Sequence, residues 1–289
     1  MKFFYALLIF LPLLITGCHE DTTPCWVTIP SIELETDEVL EGANSQGISD
    51  AWVYMDGTAL GVFELPARIP VLAEGTHKFQ IFAGIKNNGI SATRVKYPFY
   101  DDYETELTLT KGSEITINPV VHYKTNLVFE LKEDFEDTGI EFDAEAYSDT
   151  PMVFIDKTDY PEIVEYGQRC GGIFLTQTDS LFKAITSTYL DLPRNEDVYI
   201  EFDYLNNNAI SMGVIAQNSV DYNEHTPLVQ MNAQDETEWK WKKIYIDLTE
   251  DVSYEIYATS YEIYLLAVIH SDLTEAKIYL DNIKVIRYQ

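Results

Sequence analysis

Apolar and polar residues alternate over short runs through most of this chain, and no long stretch carries an apolar period of 3.6 residues. In "HKFQIFAGI" (77–85), Phe79, Ile81 and Ala83 fall on one face. "EITINPVV" alternates through Ile115 and Ile117 until Pro119 disturbs the ladder. "DVYIEFDYL" sets Val198, Ile200, Phe202 and Tyr204 against Tyr199, Glu201 and Asp203. Successive side chains of a strand point to opposite faces, so each run predicts a strand with one buried face. Runs rich in Val, Ile, Tyr, Phe and Thr between turn residues predict an all-β protein. Asp56-Gly57, between "WVYM" and "ALGVFEL", predicts a hairpin, because a type I′ turn needs positive φ at both central residues. "NNG" at 87–89 and "NNN" at 206–208 predict further turns. Near the end, Ile278 and Leu280 share one parity and Ile283 and Val285 the other. Either the strand changes its buried face there or a bulge sits at Asp281-Asn282. No internal repeat has a solenoid period.

The first residues read differently. Lys2 precedes an apolar run over 3–15, interrupted by Pro12. It is shorter than the roughly 20 residues that span a bilayer and fits a secretion signal. The run closes on "LITGC", which resembles the lipobox of bacterial lipoproteins. That resemblance implies cleavage after residue 17, lipid on Cys18, and a tether over 18–24. Several acyl chains together hold a protein stably on a membrane. The acidic pair Glu20 and Asp21 resembles the surface-export signals of Bacteroidetes lipoproteins, which implies an outer-membrane lipoprotein exposed at the cell surface.

A boundary near 124–126 divides the rest into 25–125 and 126–289. In the first part, "VYMDG" and "EGTHKFQI" resemble small Ig-like or PEGA-like sandwiches of bacterial surface proteins. "GIKNNGISATRVKYPFY" and "INPVVHYK" are similar to uncharacterised Bacteroidetes lipoproteins and bring no activity with them. In the second, "EDFED", "GQRCGGIFLT", "WKWKKIYIDLT" and "AKIYLDNIKVI" follow in an order that resembles galactose-binding-like jelly rolls, among them many carbohydrate-binding modules. The expected fold is all-β: two β-sandwich domains, Ig-like/PEGA-like followed by a jelly roll, with the second able to fold alone.

Composition narrows the partners. With 48 acidic and 19 basic residues the formal charge is −29, which repels nucleic acid and anionic headgroups and attracts cations. Hydrophobic residues at 46%, with 20 Tyr and 14 Phe, exclude a disordered chain. If Cys18 carries lipid, Cys25 and Cys170 remain. They either pair outside the cytoplasm or stay as two buried thiols.

Two constellations stand out. The jelly-roll resemblance implies a structural Ca²⁺ held by Glu136, by backbone oxygens at a turn around Gly171 and Gly172, and by Asp281. A bulge beside Asp281 frees carbonyls next to a carboxylate, which suits a hard cation; the alternative is a charged edge on a bent strand. Trp239, Trp241 and Tyr245 share one parity, while Ile244, Ile246 and Leu248 take the other. With the aliphatic face in the core, the aromatic face is exposed for stacking on sugar rings, and Glu201 and Asp203 supply groups for sugar hydroxyls. The alternative places Trp241 in the core. Tyr254, Tyr257, Tyr261 and Tyr264 have helical spacing, but the β-branched residues nearby favour a loop followed by a strand. His19, His77, His122, His225 and His270 form no metal-binding motif. No nucleophile elbow occurs, and the acids are too numerous to single out a glycosidase pair. The expectation is a non-enzymatic, lipid-anchored binding protein of the envelope with a glycan partner. The alternative is a structural or protein-interaction subunit of an envelope assembly.

Overall fold

The computed structural model describes residues 22–218, 221–224 and 227–289. Cys18, His19, Glu20, Asp21 and His225 lie outside the described residues. The first part contains β1 (Cys25–Ile29), β2 (Glu33–Leu34), β3 (Asp50–Met55), β4 (Thr58–Glu64), β5 (Ala67–Val71), β6 (Gly75–Lys86), β7 (Arg94–Lys96), β8 (Asp102–Leu109), β9 (Glu114–Thr116) and β10 (Val120–Val121). The second contains β11 (Leu127–Glu133), β12 (Phe142–Ala144), β13 (Val153–Asp156), β14 (Arg169–Thr176), β15 (Leu181–Thr186), β16 (Val198–Asn206), β17 (Ile210–Gln217), β18 (Tyr222–Glu224), β19 (Val229–Met231), β20 (Lys242–Asp247), the short helix α1 (Thr249–Tyr254), β21 (Ser260–Val268) and β22 (Glu275–Tyr288). The all-β expectation holds.

In the first unit a sheet of order β4-β3-β6-β7, with β8 also on β6, packs against β5-β1-β9. Val53, Phe79, Ile81 and Ala83 meet Val27, Ile29 and Ile69 in one core. The predicted hairpin is present, with Asp56 at φ 49 and Gly57 at φ 77. Asp56 also accepts the Lys78 N–H at 2.9 Å, tying the turn to β6. In the second unit β13-β14-β22-β16-β20, with β11 on β22, faces β12-β15-β21-β17-β18, with β19 on β17. The chain crosses repeatedly between these sheets, as in a jelly roll. Ile200, Phe202, Ile278, Leu280 and Val285 from one sheet pack on Phe182, Met212, Val214, Ile263 and Leu265 from the other. Full burial of such a side chain contributes about 1.5–3 kcal/mol.

The parity change in β22 is a bulge. Between the pairs Glu201↔Lys284 and Asp203↔Asp281, β22 carries one extra residue, and Asn282 takes φ 51. Both halves of the strand thereby keep their aliphatic side chains in the same core.

Two expectations need correction. Gly171 and Gly172 lie inside β14, paired with β13 and β22, and form no turn. A Cβ at Gly171 would sit 2.6 Å from the Phe135 ring, and one at Gly172 2.7 Å from Ile155. Close packing, rather than a turn, therefore requires glycine there. Strand β16 is buried on both faces: Tyr199, Glu201 and Asp203 are as inaccessible as the aliphatic residues between them. Of the two states left open for Cys25 and Cys170, the structure has the separate buried thiols. The 254–264 tyrosines divide between the end of α1, a turn and β21.

Candidate functional site

Strands β16, β20 and β22 direct Tyr199, Glu201, Asp203, Lys243, Tyr245, Lys284 and Ile286 away from the sandwich core, as period two demands. In an isolated sandwich this face would meet water. Here the first unit lies on it. Asn88, in the predicted 87–89 turn, donates its N–H to the Tyr245 carbonyl at 2.9 Å and accepts that of Asp247 at 2.8 Å. The Tyr245 ring packs edge-on against Tyr97 at 4.8 Å. Its hydroxyl accepts the Gly47 N–H at 3.0 Å and meets the Tyr100 hydroxyl at 3.2 Å. Burial drives the Tyr245 phenol far above its ordinary range. Glu201 accepts from the Tyr123 hydroxyl. Asp203 accepts from the Ser45 hydroxyl and from Asn282 Nδ2, the latter at 2.9 Å.

The expected sugar platform is thus closed at Tyr245, Glu201 and Asp203. Ile244, Ile246 and Leu248 do enter the core, so the face assignment was right. Tyr245, Glu201 and Asp203, at 2%, 0% and 3% exposure, cannot reach a glycan because a second folded unit covers them. Trp239 and Trp241 are half-buried against Ile155, Ile163, Cys170, Leu205 and Tyr279. Trp241 donates its indole N–H to the Ile163 carbonyl at 2.7 Å, and Trp239 packs edge-on to Tyr279 at 6.1 Å. The 157–168 connection therefore lies over the tryptophan pair.

Where the first unit, the 157–168 connection and the β22 bulge meet, a cavity of about 270 Å³ remains. Its walls carry Glu38, Asp134, Glu136 and Asp281. Asp281 Oδ1 accepts the Asn282 N–H at 2.8 Å; its Oδ2 is buried without a partner. Burial first, then the neighbouring Asp203, push this carboxyl well above the ordinary carboxylate range. Glu136 and Asp281, expected at a Ca²⁺ site, do line this one cavity. Glu136 is nevertheless committed to the main chain. Glu136 Oε1 accepts the N–H groups of Gln168 and Arg169 at 2.6 and 2.9 Å. The Arg169 guanidinium takes the Glu136 and Asp137 carbonyls, the latter at 2.8 Å. Among the described residues no three His, Cys, Asp or Glu side chains converge to hold a metal ion. Calcium takes 6–8 oxygens, and this donor set does not fit it. Glu38, Asn44 and Tyr166 escaped the sequence reading because each comes from a segment without periodicity, far from Asp281 along the chain.

A larger cavity of about 510 Å³ lies beside Asn207, Asn208, Val268 and His270. Its amides are already used: Asn208 donates to the Val268 carbonyl and accepts the His270 N–H. At the edge of the other sheet, three rings are left in solvent. Tyr254 and Tyr257 are each 79% exposed and Tyr222 is 59% exposed. Asn223 Nδ2 donates to Glu255 Oε1 at 2.6 Å and joins the two segments that carry them.

No family model matches the chain, and no curated relative matches it. Among solved structures, the carbohydrate-binding module TmCBM61 in complex with β-1,4-galactotriose is similar at 14% identity and a TM-score of 0.35, over 55% of this chain and 99% of that one. A module specific for non-crystalline cellulose is similar at 14% identity and a TM-score of 0.38, over 53% and 92% of the two chains. A carbohydrate-binding module of the β-sandwich superfamily is similar at 16% identity and a TM-score of 0.35, over 84% and 87%. Such distant likenesses say nothing of what this chain binds.

Proposed function

We propose that this is a glycan-binding protein of the cell envelope, held at the outer membrane by lipid on Cys18. Its sugar contacts come from Tyr222, Tyr254 and Tyr257. The observation behind this reading is the exposure of those three rings beside a hydrogen-bonded amide–carboxylate pair. A tyrosine has an apolar body and a polar tip, which suit the face and the hydroxyls of a sugar ring. A sugar ring stacks on the body while its hydroxyls meet the Asn223 and Glu255 side chains. On the competing aromatic face, Tyr245 is covered by the first unit, and Trp239 and Trp241 are half-buried against residues of the second.

The test is a glycan array probed with the soluble chain beginning at Thr22, with and without EDTA. The double variant Tyr254→Ala/Tyr257→Ala should weaken binding by about tenfold or more at an unchanged melting temperature. Undiminished binding by that variant removes the tyrosine site, and a blank array favours the protein-interaction alternative. The anchor is tested separately: Cys18→Ser should lose acyl mass from the mature N-terminus and release the protein from membranes.

A further inference from the structure

The acidic cavity calls for a cation, yet it is not built for a metal. Its four carboxylates come from separate places: Glu38 from the first unit, Asp134 and Glu136 from the turn after β11, and Asp281 from the bulge. No lysine or arginine lines it. The nearby buried ammonium groups, Lys243 and Lys284, each lie 3.9 Å from Glu201; Lys243 also favours the ionised form of Asp281 from outside the lining, but it makes no hydrogen bond to it. Arg169 is spent on main-chain carbonyls. Asp281 is 1% exposed, and its Oδ2 has no hydrogen-bond partner, so a cationic donor reaching it is what would hold this carboxyl ionised.

We propose that this cavity binds a protonated primary amine carried on a small polar molecule. The ammonium donates to Asp281 Oδ2, and the surrounding carboxylates offset its charge. A neutral hydroxyl would satisfy that one oxygen but leave the clustered negative charge uncompensated. A bare divalent ion needs convergent oxygens, which are absent here. A quaternary ammonium needs an aromatic cage, and Tyr166 is the single aromatic residue in the lining. Asn44, Asn282 and Tyr166 add neutral hydrogen-bonding groups for the body of the ligand. Two sources share this chemistry, an unacetylated amino sugar and an aliphatic amine. Because Glu38 and Asn44 belong to the first unit and Asp281 to the second, the ligand would also clamp the two units together. The inference is independent of the tyrosine site.

Calorimetry and thermal shift on the soluble chain from Thr22 test it, with glucosamine, N-acetylglucosamine, putrescine and CaCl₂ as probes. A free amine should bind and raise the melting temperature, while N-acetylglucosamine should not. Glucosamine binding alone identifies an amino-sugar site, and putrescine binding alone an aliphatic-amine site. Asp281→Asn, which keeps the shape of the side chain, should lower the affinity by about tenfold or more. Glu38→Gln, at the cavity mouth, should lower it by less and serves if Asp281→Asn does not fold. Equal binding of the acetylated and free sugars, displacement of the amine by Ca²⁺, affinity unchanged in both variants, or no binding of any amine would each overturn the proposal.

Discussion

Lys284 Nζ lies 3.9 Å from Glu201 Oε1, with the two side chains 1% and 0% exposed. They stand on neighbouring strands of one sheet, on the face that the first unit covers. Lys284 also donates to the Ala43 carbonyl at 3.0 Å and lies 3.4 Å from the Tyr123 hydroxyl. Lys243 approaches the same carboxylate from the other side at 3.9 Å. Buried ion pairs seldom add much net stability, but breaking one by removing a single partner is costly. This cluster therefore acts chiefly to fix how the two units dock.

The cluster predicts a pH signature. Burial, more than any neighbour, pulls the Lys284 ammonium down to about 8 from its ordinary 10.5. Below about pH 8 both folded and unfolded chains hold this proton. Between about pH 8 and about pH 10 only the unfolded chain holds it, so stability rises with pH, by at most about 1.4 kcal/mol per unit. Tyr97, Tyr100 and Tyr123, raised by burial, act oppositely above that window, because the unfolded chain loses their protons first. Urea melts across the window should show the rise in the native protein and its absence in Lys284→Met. Parallel curves for the two would dismiss it.

Tyr245 should contribute as a core residue. Tyr245→Ala empties a sealed aromatic site, at a cost of about 3–5 kcal/mol. Tyr245→Phe keeps the ring and loses the Gly47 and Tyr100 contacts, at about 1–2 kcal/mol. Chemical denaturation reads both values. A loss below about 1 kcal/mol for the alanine variant would mean that the junction contributes little.

Gly171→Ala should destabilise by about 1–3 kcal/mol through overpacking, since the new methyl meets the Phe135 ring at 2.6 Å and Met152 Sδ at 2.9 Å. Gly139→Ala is the control. Nothing lies within 4 Å of its added Cβ, so it should be neutral or stabilise by about 0.4–1 kcal/mol. Equal melting temperatures for the two variants would contradict the close packing.

Both thiols should stay silent. In the soluble chain from Thr22, Cys25 and Cys170 should resist a thiol reagent until the protein unfolds, and reducing and non-reducing gels should agree. Burial raises the Cys170 thiol far above its ordinary range, which suppresses the reactive thiolate. Rapid labelling of the native protein would contradict this.

Everything the sequence determined was local. The alternation at 77–85, the left-handed pair Asp56-Gly57, the parity change at Asp281-Asn282 (though not whether a bulge or a face switch causes it) and the inward set Ile244, Ile246 and Leu248 each follow from constraints spanning a few residues. A pleated strand, a tight turn or an added residue acts on its immediate neighbours, so these features could be read correctly. Period two states which side chains leave their own core. It does not state whether they then meet water or another sheet. Tyr245, Glu201 and Asp203 carried the pattern of a solvent face, and the tertiary structure made them a junction by laying residues 42–47 and 87–123 across them. Glycine at 171 and 172 read as a turn because the reason for it, the Phe135 ring and Ile155, lies in other segments. The acidic cavity was half legible: Glu136 and Asp281 came from one strand-order resemblance, whereas Glu38 and Asn44 arrive through docking. Ala43 and Lys284, 241 positions apart, are joined by one hydrogen bond. Contacts over such separations are selected by the burial and charge of two whole surfaces, and no short stretch of either surface contains that information.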